Sequence, residues 1–170
     1  ILNGSETDAP LPDDDAEAYP YIFDTHPPNI SITLDKNYTK PGQQLAINWF
    51  SYDNIDNELN ISLKWKWNNN LGTIKEDLGN NGTYNWTVIN FPDKAIIEIK
   101  AIAKDDVGNT GSKSAYVVID TSPPCSTLSF IPSSPDGNNG WYKSNVEVNI
   151  TSIDNGSGVK QIFYRINGGA

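Results

Sequence analysis

The sequence predicts an all-β chain of tandem β-sandwiches, one complete and one truncated. Three observations carry this. A joint of the form Asp-Thr-x-Pro-Pro occurs twice, as Asp24-Thr25-His26-Pro27-Pro28 and Asp120-Thr121-Ser122-Pro123-Pro124. Between the joints, apolar residues recur with period 2 in short runs separated by Gly, Pro, Asn and Asp, which is the pattern of strands and turns. The joint returns after 96 residues, the size of one seven-stranded sandwich. Each diproline fixes φ twice and removes two backbone donors, so neither sheet nor helix continues through it. A short apolar run enters each joint, Tyr21-Ile22-Phe23 and Val117-Val118-Ile119.

This divides the chain into an acidic leader with the final strand of a preceding module (1–23), a complete sandwich (24–119) and the first half of another (120–170). The leader carries Asp13-Asp14-Asp15-Ala16-Glu17 and reads as a polar loop. Tyr19 to Phe23 reads as a strand by its place before the joint.

Inside the complete module, Ile30, Ile32 and Leu34 define one face of the first strand. Pro41-Gly42 has type II turn chemistry, with φ preset by Pro and φ > 0 accepted by Gly. Residues 44–52 form a strand with Leu45, Ile47, Trp49 and Ser51 on one face. Ile61, Leu63, Trp65 and Trp67 alternate with polar residues, which places Trp65 or Trp67 at the core centre. Thr73 to Leu78 is a short strand on either sheet edge, and Gly79-Asn80-Asn81-Gly82 reads as a hairpin turn. Tyr84, Trp86 and Val88 share a face, and Asn90 to Lys94 crosses over. Residues 95–103 form a strand, Asp105 to Asn109 a turn, and Ser114 to Ile119 the closing strand.

The third segment repeats the first half. Val146, Val148, Ile150, Ser152, Asp154 and Asn155 follow Leu45, Ile47, Trp49, Ser51, Asp53 and Asn54 at a constant offset of 101. The joints differ by 96, so five extra residues lie between, in 133–141. Val159 to Ile166 reads as the next strand. Half a sandwich leaves an inner face uncovered and is not stable alone.

The joints, the phrase Ala101-Ile102-Ala103-Lys104-Asp105-Asp106-Val107-Gly108-Asn109, and Trp141-Tyr142 with Asp154-Asn155-Gly156-Ser157-Gly158-Val159 resemble the immunoglobulin-like and fibronectin-III-like repeats of large archaeal and bacterial surface proteins. The resemblance covers residues 19–170. It implies immunoglobulin-like sandwiches serving as stalks, adhesins, surface-layer proteins or accessory domains of secreted enzymes, and no particular activity.

Composition narrows the function. With 12 Lys+Arg against 21 Asp+Glu, net −9, nucleic-acid and anionic-membrane partners are disfavoured. One Cys (Cys125) and one His (His26) leave no intramolecular disulfide, Cys-based zinc or redox motif, or two-histidine metal site. No apolar run reaches membrane-span length, and the absence of Met reads as a piece of a longer, processed chain. No nucleophile elbow, phosphate loop or metalloprotease motif occurs, so no enzyme is expected.

Two candidate site sets remain. In a seven-stranded sandwich the joint, the second-to-third-strand loop and the sixth-to-seventh-strand loop share one pole. Asp24, Asp53, Asp56, Glu58, Asp105 and Asp106 can therefore converge, either as solvated acidic turns or as a calcium site of carboxylate oxygens. The second set is glycosylation. Asn3, Asn29, Asn37, Asn60, Asn81, Asn85, Asn149 and Asn155 each begin Asn-x-Ser/Thr in a chain with 21 Asn and 25 Ser+Thr. That density favours a glycosylated extracellular surface. The expected function is a non-catalytic structural or adhesive repeat at the cell surface, whose partners are neighbouring modules or subunits and surface glycans. The alternative is an accessory carbohydrate- or ligand-binding module of a secreted enzyme, since Trp65, Trp67, Tyr84, Trp86, Trp141 and Tyr142 are many aromatics for a small module. A third reading has the open half-module accept a donor strand, such as Tyr19 to Phe23, from another subunit.

Overall fold

A computed structural model describes residues 23–166. Their regular structure is strand throughout, apart from one 3₁₀ turn at Asn138–Gly140. β1 (Asn29–Leu34), β3 (Gln44–Tyr52) and β6 (Asn81–Thr87) form an antiparallel sheet in the order β1-β3-β6. A second sheet has the order β2-β8-β7-β4-β5, from β2 (Tyr38–Thr39), β4 (Asn60–Trp67), β5 (Asn70–Leu78), β7 (Ile96–Lys104) and β8 (Thr110–Ile119). Among the described residues only β2 and β8 pair in parallel. Among the described residues no helix is long and apolar enough to cross a membrane.

The two sheets pack through their inward faces. Leu45 and Ile47 of β3 meet Ile61 and Leu63 of β4, Ile97 and Ile99 of β7, and Val117 and Ile119 of β8, all with no solvent exposure. Period-2 alternation produces this arrangement, because the alternate residues of β3, β4, β7 and the end of β8 named here are apolar and turn inward. Each such side chain contributes about 1.5–3 kcal/mol on burial. That holds the sandwich without a disulfide, and Cys125 is an exposed free thiol.

Four expectations change. First, Trp65 and Trp67 do not hold the centre, which is aliphatic. They lie near the end of β4, half-buried, in T-shaped contact with Phe91. Second, Gly79 to Gly82 is not a hairpin, because β5 and β6 belong to different sheets. It is a crossing between layers, held by β3: Trp49 Nε1 donates to the Gly79 carbonyl (2.8 Å), and Ser51 N and Oγ donate to that of Asn80 (2.8 and 2.7 Å). The Asn80 side chain adds a clamp, accepting from Leu59 N (2.6 Å) and donating to the Asn57 carbonyl (2.5 Å). Third, β5 and β8 begin earlier than the alternation does. Their starts, Asn70–Gly72 and Thr110–Lys113, lack the alternation and are drawn into strand by ladders with β4 and β7. Fourth, 159–166 is not a strand. It has no partner strand among the described residues, whereas β4 pairs with both β5 and β7.

Beyond the second joint, β9 (Cys125–Ile131) and β10 (Glu147–Ile153) form a two-stranded antiparallel sheet. Its register copies that of β1 and β3. Ile32 faces Trp49, and Leu128, 96 residues on from Ile32, faces Ile150, 101 residues on from Trp49. The insertion therefore lies between the strands, in a loop closed by the Asp136 carboxylate, which accepts from Lys143 N and from Ser144 N and Oγ. The leader and Tyr19 to Ile22, with the donor-strand reading placed on them, lie outside the described residues. Phe23 is exposed and not in a strand.

Candidate functional site

The joints are where the acidic residues gather. At the entering joint, Pro28 is buried and its carbonyl faces Gly111 at the start of β8. The loop 105–109, between β7 and β8, is organised by Asp105, only 3% exposed. Its Oδ1 accepts from Gly108 N and Asn109 N (both 2.7 Å) and its Oδ2 from Asn109 Nδ2 (2.8 Å). Gly108 has φ 103°, which a side chain would resist. Burial pushes the Asp105 carboxyl up, but hydrogen bonds from Asn109 and Gly108 outweigh it and hold the group below its usual range. Asn109 Nδ2 also donates to the Asp24 carbonyl (3.3 Å), which ties joint to loop.

The loop between β3 and β4 closes the group. Asp53 Oδ1 accepts from Ile55 N (2.9 Å) and Asp56 N (3.3 Å), so Asp53 folds its own turn. Asp56 Oδ2 accepts from Asp106 N (2.9 Å), joining the two loops. As a result one carboxylate oxygen from each of Asp24, Asp56 and Asp105 lies within 4.8 Å of the others. Asp53, Glu58 and Asp106 are outside this group. Asp24 Oδ1 accepts from His26 N (3.0 Å), while Asp24 Oδ2 is enclosed and accepts nothing. The ion pairs among the described residues, Lys36–Asp35 and Lys64–Glu76, are elsewhere.

The leaving joint is built differently. Asp120 N donates to the Thr39 carbonyl (2.8 Å). Asp93, in the crossover before β7, accepts from Thr121 N (2.7 Å) and Ser122 Oγ (2.8 Å), and these bonds hold its carboxyl below the usual range. On the far side, Asp120 Oδ2 accepts from Ser157 N (2.6 Å). Bonds from the Ser157 hydroxyl and N–H hold Asp120 below the usual range as well. Asp154 folds its turn as Asp53 does, accepting from Gly156 N (2.8 Å) and Gly158 N (3.0 Å).

Of the sequon asparagines, Asn29, Asn37, Asn60, Asn81, Asn85, Asn149 and Asn155 are all exposed; Asn3 lies outside the described residues. Asn60 Nδ2 donates to Asp77 Oδ1 (3.0 Å) and Asn149 Nδ2 to Glu147 Oε1 (3.3 Å). Asn29, Asn81 and Asn85 share the outer face of the β1-β3-β6 sheet. There Asn29 is paired with Tyr52 and Asn81 with Phe50. Phe50 and Tyr52 are exposed, with ring centroids 6.3 Å apart. Their parity, opposite to that of Leu45, Ile47 and Trp49, was the available signal for an outward aromatic pair. The candidate platform residues are dispersed instead. Trp86 is buried, Trp65, Trp67 and Tyr84 are half-buried, and Trp141 is exposed beside a half-buried Tyr142.

No family model and no curated protein matches the chain. Among solved structures it is similar to Spo0M, a sporulation control protein from Bacillus subtilis, at 11% identity and a TM-score of 0.42. The match covers 58% of this chain and 51% of that one, so the chain spans about half the length of that neighbour. A likeness this distant carries no statement about what the chain does.

Proposed function

We propose that this chain is a non-catalytic spacer from an extracellular surface protein, made of tandem immunoglobulin-like sandwiches that hold distance between what lies at either end. One observation carries the reading: the two joints attach at opposite ends of β8. The entering joint lies against Gly111 and Asn109, and the leaving joint continues from Ile119. Ten residues of strand separate these ends, about 30 Å at roughly 3.3 Å per residue. Because β1 and β2 run in the same direction as β8, a pull through both joints slides them along β8 and loads Val118 N to Asn37 O (2.9 Å) and Asp120 N to Thr39 O (2.8 Å) in shear. These bonds must then break together rather than one by one.

Single-molecule pulling tests this. Drawn through the joints, residues 29–119 are expected to unfold in one step with a gain in length of about 30 nm, at roughly 3.3–3.6 Å per extended residue less the folded span. The force should exceed that needed when the same sandwich is pulled through residues 60 and 78, which unzips the β4–β5 hairpin. Equal forces along the two directions would remove the spacer reading. The accessory carbohydrate-binding alternative is less favoured, because Trp86 is buried and Trp65 and Trp67 are half-buried against Phe91, which leaves Trp141 as the exposed ring of the candidate aromatics.

The extracellular part of the reading rests on the seven exposed sequons. Glycans on Asn29 and Asn81 would shelter the otherwise bare Phe50–Tyr52 pair. Intact-mass and peptide-level measurement on native material is expected to find sugar on Asn29, Asn81 and Asn85. A mass equal to the bare polypeptide would refute the extracellular assignment.

A further inference from the structure

We infer that a calcium ion closes the entering joint, held by Asp24, Asp56 and Asp105. The inference stands on the geometry of that joint and does not rest on the spacer reading.

The two joints are built from matching positions, and they differ at one of them. Asp24 and Asp120 are the first residues of their joints. Asp53 and Asp154 fold the facing loops, 101 residues apart, and Asp56 corresponds to Ser157 at that same offset. At the leaving joint the pair is complete: Ser157 donates and Asp120 accepts. At the entering joint the donor's place is taken by a second carboxylate, Asp56, whose own Oδ2 already accepts from Asp106 N. Asp24 Oδ2 is shut off from solvent and receives no hydrogen bond, an arrangement that costs free energy unless a donor or a cation meets it. The third carboxylate, Asp105, is nearly fully buried. The two ion pairs among the described residues do not involve this group.

One shared proton would leave two charged carboxylates and one of the three mutual repulsions. A divalent cation relieves all three. Calcium binds carboxylate oxygens at about 2.3–2.6 Å, so two oxygens on one ion lie up to roughly 5 Å apart, which matches the 4.8 Å spread. Zinc prefers nitrogen and sulfur donors, and magnesium demands a tighter octahedron and keeps its waters. The ion would join three segments that are separate in sequence: the joint, the β3–β4 loop and the β7–β8 loop.

The test uses the whole 170-residue chain stripped with chelator. Adding 1 mM calcium chloride is expected to raise the melting temperature of the sandwich by about 5–10 °C, with a smaller shift from magnesium chloride. Calorimetric titration should give one calcium per chain. Asp24→Asn and Asp56→Ser should each abolish the calcium shift. Asp56→Ser installs the donor used at the other joint, so in chelator it should melt no lower than the stripped parent, which separates loss of a ligand from loss of the fold. Ser157→Ala should leave the calcium shift intact. No calcium shift in the parent chain, or a shift that survives both aspartate substitutions, would overturn the inference.

Discussion

Replacing Phe91 by alanine is expected to cost the sandwich about 3–5 kcal/mol, the range for emptying a buried aromatic site. Phe91 lies in the crossover between β6 and β7, 5% exposed. Three indoles pack against it in T-shaped contacts: Trp65 at 5.2 Å and 79°, Trp67 at 6.1 Å and 73°, and Trp86 at 6.3 Å and 69°. Each such contact adds about 0.5–1.5 kcal/mol beyond area burial. The rings come from both sheets, β4 on one and β6 on the other, so the crossover residue plugs the end of the sandwich. A domain of this size has a total stability of about 5–15 kcal/mol, and the loss should lower its melting temperature by roughly 12 °C or more. Denaturant titration followed by tryptophan emission checks it, since the native spectrum should also shift to the red as the indoles hydrate. Phe91→Leu keeps most of the volume and should cost about 1.5 kcal/mol or less. If Phe91→Ala cost no more than Phe91→Leu, the ring cluster would not be holding that end closed.

Phe91 also marks where sequence reading stops. Period-2 alternation identifies Leu45, Ile47, Ile61, Leu63, Ile97 and Ile99 as inward residues because a strand's pleat is a local property. Phe91 lies beside Pro92 in a stretch without period, so nothing local separates a plug from an exposed loop aromatic. Trp65 and Trp67 alternate correctly, but their place along the sheet depends on register with β7, which pairs distant residues. Gly79 to Gly82 carries turn residues that serve a hairpin and a crossing equally well. Which one forms depends on whether 81–87 pairs with β5 or with β3. The candidate site divides the same way. Topology can place Asp24, the 53–58 loop and the 105–109 loop at one pole, but it cannot select Asp56 over Asp53. Asp53 is committed to its own turn by bonds to Ile55 N and Asp56 N, while Asp56 reaches across to the neighbouring loop. Comparison of the two joints supplied what a single copy could not, since Ser157 shows what a completed contact at that position looks like.

Gly111→Val is expected to cost about 3 kcal/mol and to loosen the entering joint rather than the core. Gly111 has the parity of Ala115, Val117 and Ile119, so any side chain there turns inward. The space a Cβ would need is occupied by the Pro28 carbonyl. A Cβ is fixed by the backbone and its clash partner is a backbone carbonyl, so no rotamer relieves it. If β8 yields, the Ala103–Gly111 and Lys104–Thr110 pairs at its start are lost. If the joint yields, Pro28 lifts, Asn109 Nδ2 loses the Asp24 carbonyl, and Asp24 leaves Asp56 and Asp105. Either way the pole opens while Leu45, Ile47, Ile97 and Ile99 stay packed. Hydrogen exchange separates the two regions: amides of residues 105–112 should exchange much faster in the variant, and those of residues 97–101 should slow or speed only with global stability. A variant with unchanged exchange over 105–112 would mean that the joint does not bear on β8, and that the two are held at their spacing by something other than the contact between Pro28 and Gly111.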